Sequence, residues 1–185
     1  SYICRNGGAT KLPCAALAQV NVAAASDLKF ALPEVATAFE RRGGEKLQIS
    51  FGSSGNFRRQ IAEGAPFELF FSADEAYADA LIAEGRAQAP GLLYGIGRIV
   101  LFLPKGSPLK ADAALKDLAA AATDGRLAKL AIANPEHAPY GQAAREALQK
   151  AGIWDIVKPK LVFGENVQQA LQFAQTGNAD AAIVG

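Results

Sequence analysis

Residues 20–55 read VNVAAASDLKFALPEVATAFERRGGEKLQISFGSSG, and their order decides the fold class. The β-branched and small apolar run at 20–24 predicts a strand. Leu28, Leu32, Val35 and Phe39 then recur at the i, i+4, i+7, i+11 spacing of one helical face, Gly43 and Gly44 stop that helix, and 47–51 predicts a second strand. The rhythm continues outward. Further strands are predicted at 67–72, 99–103, 130–133, 161–163 and 181–184. Further helices are predicted at 56–63, 75–84, 113–122, 142–151 and 167–176, with Gly64, Gly85, Gly152 and Gly177 as stops. Such alternation predicts an α/β protein whose mostly parallel sheet is covered on both faces.

Residues 91–108, GLLYGIGRIVLFLPKGSP, interrupt this order with four glycines and two prolines around an apolar core. They read either as one strand with loop flanks or as a crossover from one α/β lobe into a second. New strand–helix units begin after them, which favours the crossover. The expected organisation is a first lobe at 19–98, a second at 99–185 and a hinge near 98–104, with 1–18 outside both.

Composition narrows the function classes. The 185 residues are 50% hydrophobic and 20% charged, with formal net charge +1, which suits a chain with a real core and excludes a disordered tail. The longest uncharged and mainly apolar run, 12–26, contains Pro13, Gln19 and Asn21 and falls short of the ~20 apolar residues of a membrane helix. Near-neutral charge without a basic block argues against nucleic acid as a partner.

Residues 1–11 have no readable period and predict no element. Ala16-Leu17-Ala18 before Gln19 has the small-x-small form of a signal-peptidase site, so 1–18 reads as a signal-peptide remnant or non-native leader, the other reading being a short alanine-rich linker. Cleavage there would remove both cysteines, Cys4 and Cys14, and with Arg5 and Lys11 take the net charge to −1. A disulfide-free exported protein fits the bacterial periplasm. The chain has no methionine and stops on the apolar run AAIVG, which predicts a processed or truncated product with residues following Gly185.

Chemistry concentrates at four strand-to-helix junctions. Ala23-Ala24-Ala25-Ser26-Asp27 and Phe51-Gly52-Ser53-Ser54-Gly55-Asn56 each end a strand on small residues and start a helix with serine hydroxyls and free N–H groups, a combination that suits an anion. Plain helix capping is the simpler alternative for either alone. In open α/β sheets, however, ligands gather at the carboxyl ends of strands, where these two junctions would lie side by side. Asn134-Pro135-Glu136-His137-Ala138-Pro139-Tyr140-Gly141 is a proline-stiffened loop in which Tyr140 is either a ligand donor or an exposed turn aromatic, and Gly141 opens a helix. Glu165-Asn166-Val167 presents a backbone N–H at a helix start.

Enzyme motifs are missing. The sequence has no phosphate-binding G-x-x-x-x-G-K-[ST], no G-x-G-x-x-G after a strand, and in Gly52-Ser53-Ser54-Gly55 one residue too few for a nucleophile elbow. His137 is the single histidine, so a Ser54–His137–Asp triad is a remote alternative, and with the cysteines confined to 1–18 a typical zinc site is excluded. Asp74, Glu75 and Glu136 are scattered among helix starts, where they suit the dipole.

Val22-Ala23-Ala24-Ala25-Ser26, Phe51-Gly52-Ser53-Ser54-Gly55, Gln60-Ile61-Ala62-Glu63-Gly64-Ala65-Pro66, Phe71-Ser72-Ala73-Asp74 and Asn134-Pro135-Glu136-His137-Ala138-Pro139-Tyr140-Gly141 occur in that order. Together they resemble the periplasmic molybdate-binding proteins of bacterial molybdate ABC transporters, from about Val20 to Gly185. The resemblance implies a two-lobed, type II periplasmic-binding-protein fold whose ligand cleft closes between the lobes on a tetrahedral oxyanion. It implies the hydroxyls of Ser26 and Ser54 and the backbone N–H groups of Tyr140 and Val167 as ligand donors. Molybdenum would then be held as molybdate through these residues, with no direct protein–metal bond, and tungstate likewise. A tyrosine hydroxyl that some members take from a later strand matches Gly185, whereas Tyr140 fits members that carry it in the P-Y-G loop. Asp27, beside Ser26, must turn its carboxylate away from the anion.

The resemblance further implies a monomeric, non-enzymatic periplasmic protein without a cofactor, whose partner is the membrane permease of the transporter. It also implies a chain that returns to the first lobe through residues beyond Gly185. The alternatives are a binder of another tetrahedral oxyanion such as sulfate or phosphate, an effector domain of a regulator, and a secreted serine hydrolase.

Overall fold

The computed structural model describes residues 2–5 and 19–185. The expected leader at 1–18 lies outside the described residues except for Tyr2–Arg5. In chain order the elements are β1 (Tyr2–Arg5), β2 (Gln19–Ala25), α1 (Ala31–Arg41), β3 (Lys46–Gly52), α2 (Ser54–Ala62), β4 (Leu69–Ser72), α3 (Glu75–Ala83), β5 (Leu92–Leu93), β6 (Val100–Phe102), α4 (Lys116–Asp124), β7 (Leu130–Ala133), α5 (Pro139–Lys150), α6 (Trp154–Val157), β8 (Leu161–Gly164), α7 (Val167–Gln175) and β9 (Ala181–Val184). They form two compact units, Ser1–Gly97 and Arg98–Gly185, each with its own sheet.

In the first unit the strand order is β3-β2-β4-β1-β5. β2 runs parallel to both neighbours, with Ala25 opposite Gly52 on β3 and Ala24 opposite Phe71 on β4. Gln19 and Asn21 alternate with Val20 and Val22 at its start, but from Val22 to Ala25 it is buried on both faces, and polar alternation stops there. Val22 and Ala24 meet Leu32 of α1 on one face, while Ala23 meets Phe57, Ile61, Phe70, Ala78 and Leu81 on the other. Tyr2–Arg5, in a stretch for which no element is predicted, is a strand here, antiparallel to both β4 and β5. Four residues are too few to show a period, and β5 has only two.

The predicted face of α1 needs correction. The helix begins at Ala31, so Leu28 precedes it in a 3-10 turn, and the buried stripe is Leu32 with Ala36 at i, i+4. Val35 and Phe39 remain exposed, at 60% and 47%. Phe39 instead lies over Gly44, where any Cβ would meet its ring.

In the second unit the order is β6-β9-β7-β8, with β7 parallel to β8 and β9 and β6 antiparallel to β9. All four residues of β7 and of β9 are buried. Leu118, Leu127, Leu130, Ile132, Leu148 and Val157 are fully buried in the core of this unit, and such side chains are worth about 1.5–3 kcal/mol each relative to exposure.

Helix starts move most from expectation. α5 begins at Pro139 rather than 142: Pro at the first helical position gives up an N–H the helix does not use, and Ala138 before it is extended at φ −115°, ψ 117°. Gly141 therefore sits inside the first turn, and its role is close approach, because a Cβ there would run into the Ala133 carbonyl. α4 is shifted to Lys116–Asp124 because the Asp112 carboxylate takes the N–H groups of Ala114, Lys116 and Asp117 at 3.0 Å each.

Candidate functional site

The buried polar residues among the described ones are four serines, Ser26, Ser53, Ser54 and Ser72, and all belong to the carboxyl ends of β2, β3 and β4. Burying a hydroxyl is unfavourable unless it is partnered, and all four are; what sets them apart is their grouping at strand ends, with the reason for that grouping to be found in their partners. The register places Ser26 and the Ser53–Ser54 pair at neighbouring strand ends, because Ala25 and Gly52 are opposite one another.

Capping does not supply that reason. The N-cap position of α2 is Ser53, but no side-chain capping bond is made there, and Ser54 is already the first helical residue. At the 3-10 turn Ser26–Leu28 the N-cap position is Ala25, again without a side-chain bond. Where this chain caps with side chains it uses other residues: Asp74 accepts the Ala76 N–H at 2.9 Å at the start of α3, and Asn166 accepts the Gln169 N–H at 3.0 Å at the start of α7.

Ser54 is fully buried, and its Oγ accepts the N–H of Ala73 at 3.0 Å. That bond joins the junctions after β3 and β4, which are not adjacent strands: the small end of β2, Ala24 and Ala25, lies between them. Ser72 stands in the Phe71-Ser72-Ala73-Asp74 motif, but no role is predicted for it from sequence. Its hydroxyl both donates to the Asp74 carbonyl at 2.6 Å and accepts the Asp74 N–H at 3.2 Å.

In the second unit Tyr140 and Val167 also fall at neighbouring strand ends, since Ala133 of β7 is opposite Gly164 of β8. Tyr140 is the second residue of α5 and Val167 the first of α7, positions whose N–H groups have no partner within the helix. The two loops are tied together. Asn134 N–H donates to the Gly164 carbonyl at 2.8 Å, and His137 Nε2 lies 3.7 Å from Glu165 Oε2. Gly164 cannot be larger, because a Cβ would come within 2.7 Å of the Ala170 nitrogen. The Tyr140 ring lies over Gly185, where a Cβ would fall 2.6 Å from Cζ. A side chain at 185 and this ring therefore exclude one another.

The electrostatics of these strand ends contrast with those around α4. Asp117 and Asp124 are held below the ordinary carboxylate range chiefly by hydrogen bonds from Arg126, and Asp112 by the N–H groups it accepts at the helix start. Arg126 is raised in return. This network fastens the segment before α4 to the loop after it. Among the described residues no group of three or more His, Cys, Asp or Glu is placed to hold a metal ion, and no helix is long and apolar enough to cross a membrane. Ser54 belongs to the first unit, and His137, beside Glu165, to the second. The junctions can therefore offer neutral donors, hydroxyls and N–H dipoles, which suits recognition of an anion by hydrogen bonding.

Residues 20–185 match the family model for bacterial extracellular solute-binding proteins. The molybdate-binding protein ModA of Rhodobacter capsulatus is 39% identical over 175 residues, covering 94% of this chain and 66% of that protein. ModA of Azotobacter vinelandii is 40% identical over 179 residues, covering 96% and 69%. Among solved structures, the periplasmic molybdate-binding protein of Azotobacter vinelandii superposes with a TM-score of 0.78 at 32% identity, covering 89% of this chain and 70% of that one. The chain thus spans about two thirds of the length of the relatives it matches.

Proposed function

The chain belongs to the bacterial extracellular solute-binding protein family, and on that premise we propose that it binds molybdate, and tungstate with it, in the periplasm for delivery to an ABC importer. The observation that carries the reading is the set of buried serines at three parallel strand ends, none of them used as a side-chain cap in α2 or the 3-10 turn. The likeness to molybdate-binding proteins at 39% and 40% identity supports the same ligand. The first unit supplies the hydroxyls of Ser26 and Ser54, and the second supplies the N–H groups of Tyr140 and Val167. The Tyr140 ring, seated where a side chain at 185 would stand, supports the arrangement in which the tyrosine hydroxyl comes from the P-Y-G loop.

A dianion held by neutral donors needs no lysine or arginine, because hydrogen bonds to a charged acceptor are roughly twice as strong as neutral ones. Fixed donors also measure size. Sulfate, with shorter bonds to its oxygens, leaves some donors unpaired at about 1–3 kcal/mol each, whereas tungstate matches molybdate. The protein acts as a monomeric carrier with the transporter's membrane permease as partner, without catalysis, cofactor or nucleic acid. The two compact units are the two lobes of the fold.

A thermal-shift titration of the chain with molybdate, tungstate, sulfate and phosphate tests this. Ligand at a hundredfold excess over its dissociation constant stabilises by about 2.7 kcal/mol, so the midpoint rises with molybdate and tungstate. A rise with sulfate or phosphate alone would transfer the site to another oxyanion, and turnover of an ester lost in Ser54→Ala would make it a hydrolase.

A further inference from the structure

Ser72 stands at the end of β4 and is fully buried, yet it is not among the donors proposed for the ligand. Its hydroxyl closes a two-residue turn on Asp74, donating to the carbonyl and accepting the N–H. That turn fixes the direction of the one peptide inside it, Ala73, whose N–H points at Ser54 Oγ. A second contact holds the same turn from behind: Tyr94, edge-on to Phe71 with ring centroids 5.5 Å apart, gives its hydroxyl to the Ser72 carbonyl at 3.4 Å.

A serine hydroxyl has one proton to donate and two lone pairs to accept with. When Ala73 N–H occupies a lone pair, the Ser54 proton is directed away from Ala73 and is kept for another acceptor. We propose that Ser72 is a positioning residue for the Ser54 hydroxyl: it sets the Ser72–Asp74 turn, the turn aims Ala73 N–H at Ser54 Oγ, and that bond orients the Ser54 proton toward the oxyanion. The proposal rests on Ser54 being an oxyanion donor. Preorganisation of this kind raises affinity because the donor's rotor is already fixed before the ligand arrives.

Two measurements on the chain test it separately from the functional reading. The first is hydrogen exchange of the Ala73 amide by NMR, in the wild type, Ser72→Ala, Ser72→Cys and Ser54→Ala. Cys keeps the volume at 72 and loses the strong donor, so it separates the hydrogen bond from the cavity. Ala73 exchanges about tenfold faster or more in all three variants, while amides of β2 and β4 keep their protection. The second is a double-mutant cycle on molybdate affinity: Ser72→Ala weakens binding about five- to tenfold in the wild type and less than about twofold in Ser54→Ala. An unchanged Ala73 amide overturns the proposal, as does an equal loss of affinity in both backgrounds. A wild-type chain that binds no oxyanion defeats the functional reading, and the exchange measurement still decides whether Ser72 holds Ala73 on Ser54.

Discussion

In the first unit the central strand β2 stands between β3 and β4, with β1 antiparallel on the far side of β4; in the second, β7 stands between β8 and β9, with β6 antiparallel on the far side of β9. Strand order and direction correspond, so the carboxyl ends correspond too. What fills those ends differs. The first unit places buried serines there, while the second places Tyr140 and Val167 in the first turns of α5 and α7. On the proposed reading, one plan yields side-chain donors in one case and backbone donors in the other. The glycines follow the difference: Gly141 and Gly164 let α5 and α7 approach β7 and β8 until no Cβ fits. The antiparallel strands differ as well, since β1 is flanked on both sides, whereas β6 is an edge beside a groove of about 440 Å³ lined by Ile99, Val100, Leu101, Leu115 and Ile183 together with Asp112.

If the donors carry the binding, the largest effect comes from removing both hydroxyls of the first unit. Ser26→Ala/Ser54→Ala deletes two charge-assisted hydrogen bonds of about 1.5–3 kcal/mol each and lowers molybdate affinity by at least about a hundredfold in calorimetry. A double variant that binds within about threefold of wild type would break the comparison by placing the donors elsewhere.

The backbone half is addressed by Val167→Pro. Proline is tolerated at the first helical position, and Asn166 before it is extended at φ −152°, ψ 173°, so the substitution removes the N–H and keeps α7. Affinity falls about tenfold with little change in the unfolding midpoint. A smaller loss belongs to Tyr140→Phe, which keeps the ring over Gly185 and removes only the hydroxyl; about three- to fivefold weaker binding is expected in the same assay.

The smallest effect on the ligand, and the clearest difference between units in acid, comes from Asp117. Arg126 holds its carboxyl below the ordinary value of 3.8, so the stabilisation it gives the second unit is complete above that value and is lost as pH falls through the lower, folded-state value. Asp117→Asn flattens the acid limb of a midpoint-against-pH series and leaves molybdate affinity near neutrality unchanged.

The sequence carried the alternation of strands and helices because 3.6-residue and buried-strand patterns need only local residues. β7 and β9 stand where the apolar runs 130–133 and 181–184 put them. β5 and α6, of two and four residues, were too short to read, and β1, YICR, lacks the uniform apolar run of the equally short β7 and β9. Val35 and Phe39 misled because spacing marks a stripe without saying where the helix starts, and the first turn of α1 moved the buried face to Leu32 and Ala36. At the strand ends, Ser26 and Ser54 were legible from their small-residue turns. Ser72 was not, because its hydroxyl bonds within its own turn to Asp74, a contact that residue types and spacing do not reveal.

The central claim is that neutral donors hold a dianion, and the most direct test is a calorimetric titration of molybdate, with sulfate as comparison, at low and high sodium chloride. A site built on lysine or arginine weakens steeply as salt screens it, whereas hydroxyl and N–H donors do not. Neutral donors give saturable 1:1 binding of molybdate, preferred to sulfate, with affinity changing less than about threefold across the salt range. Heat from sulfate alone, or a fall of more than about tenfold in molybdate affinity at high salt, would contradict it.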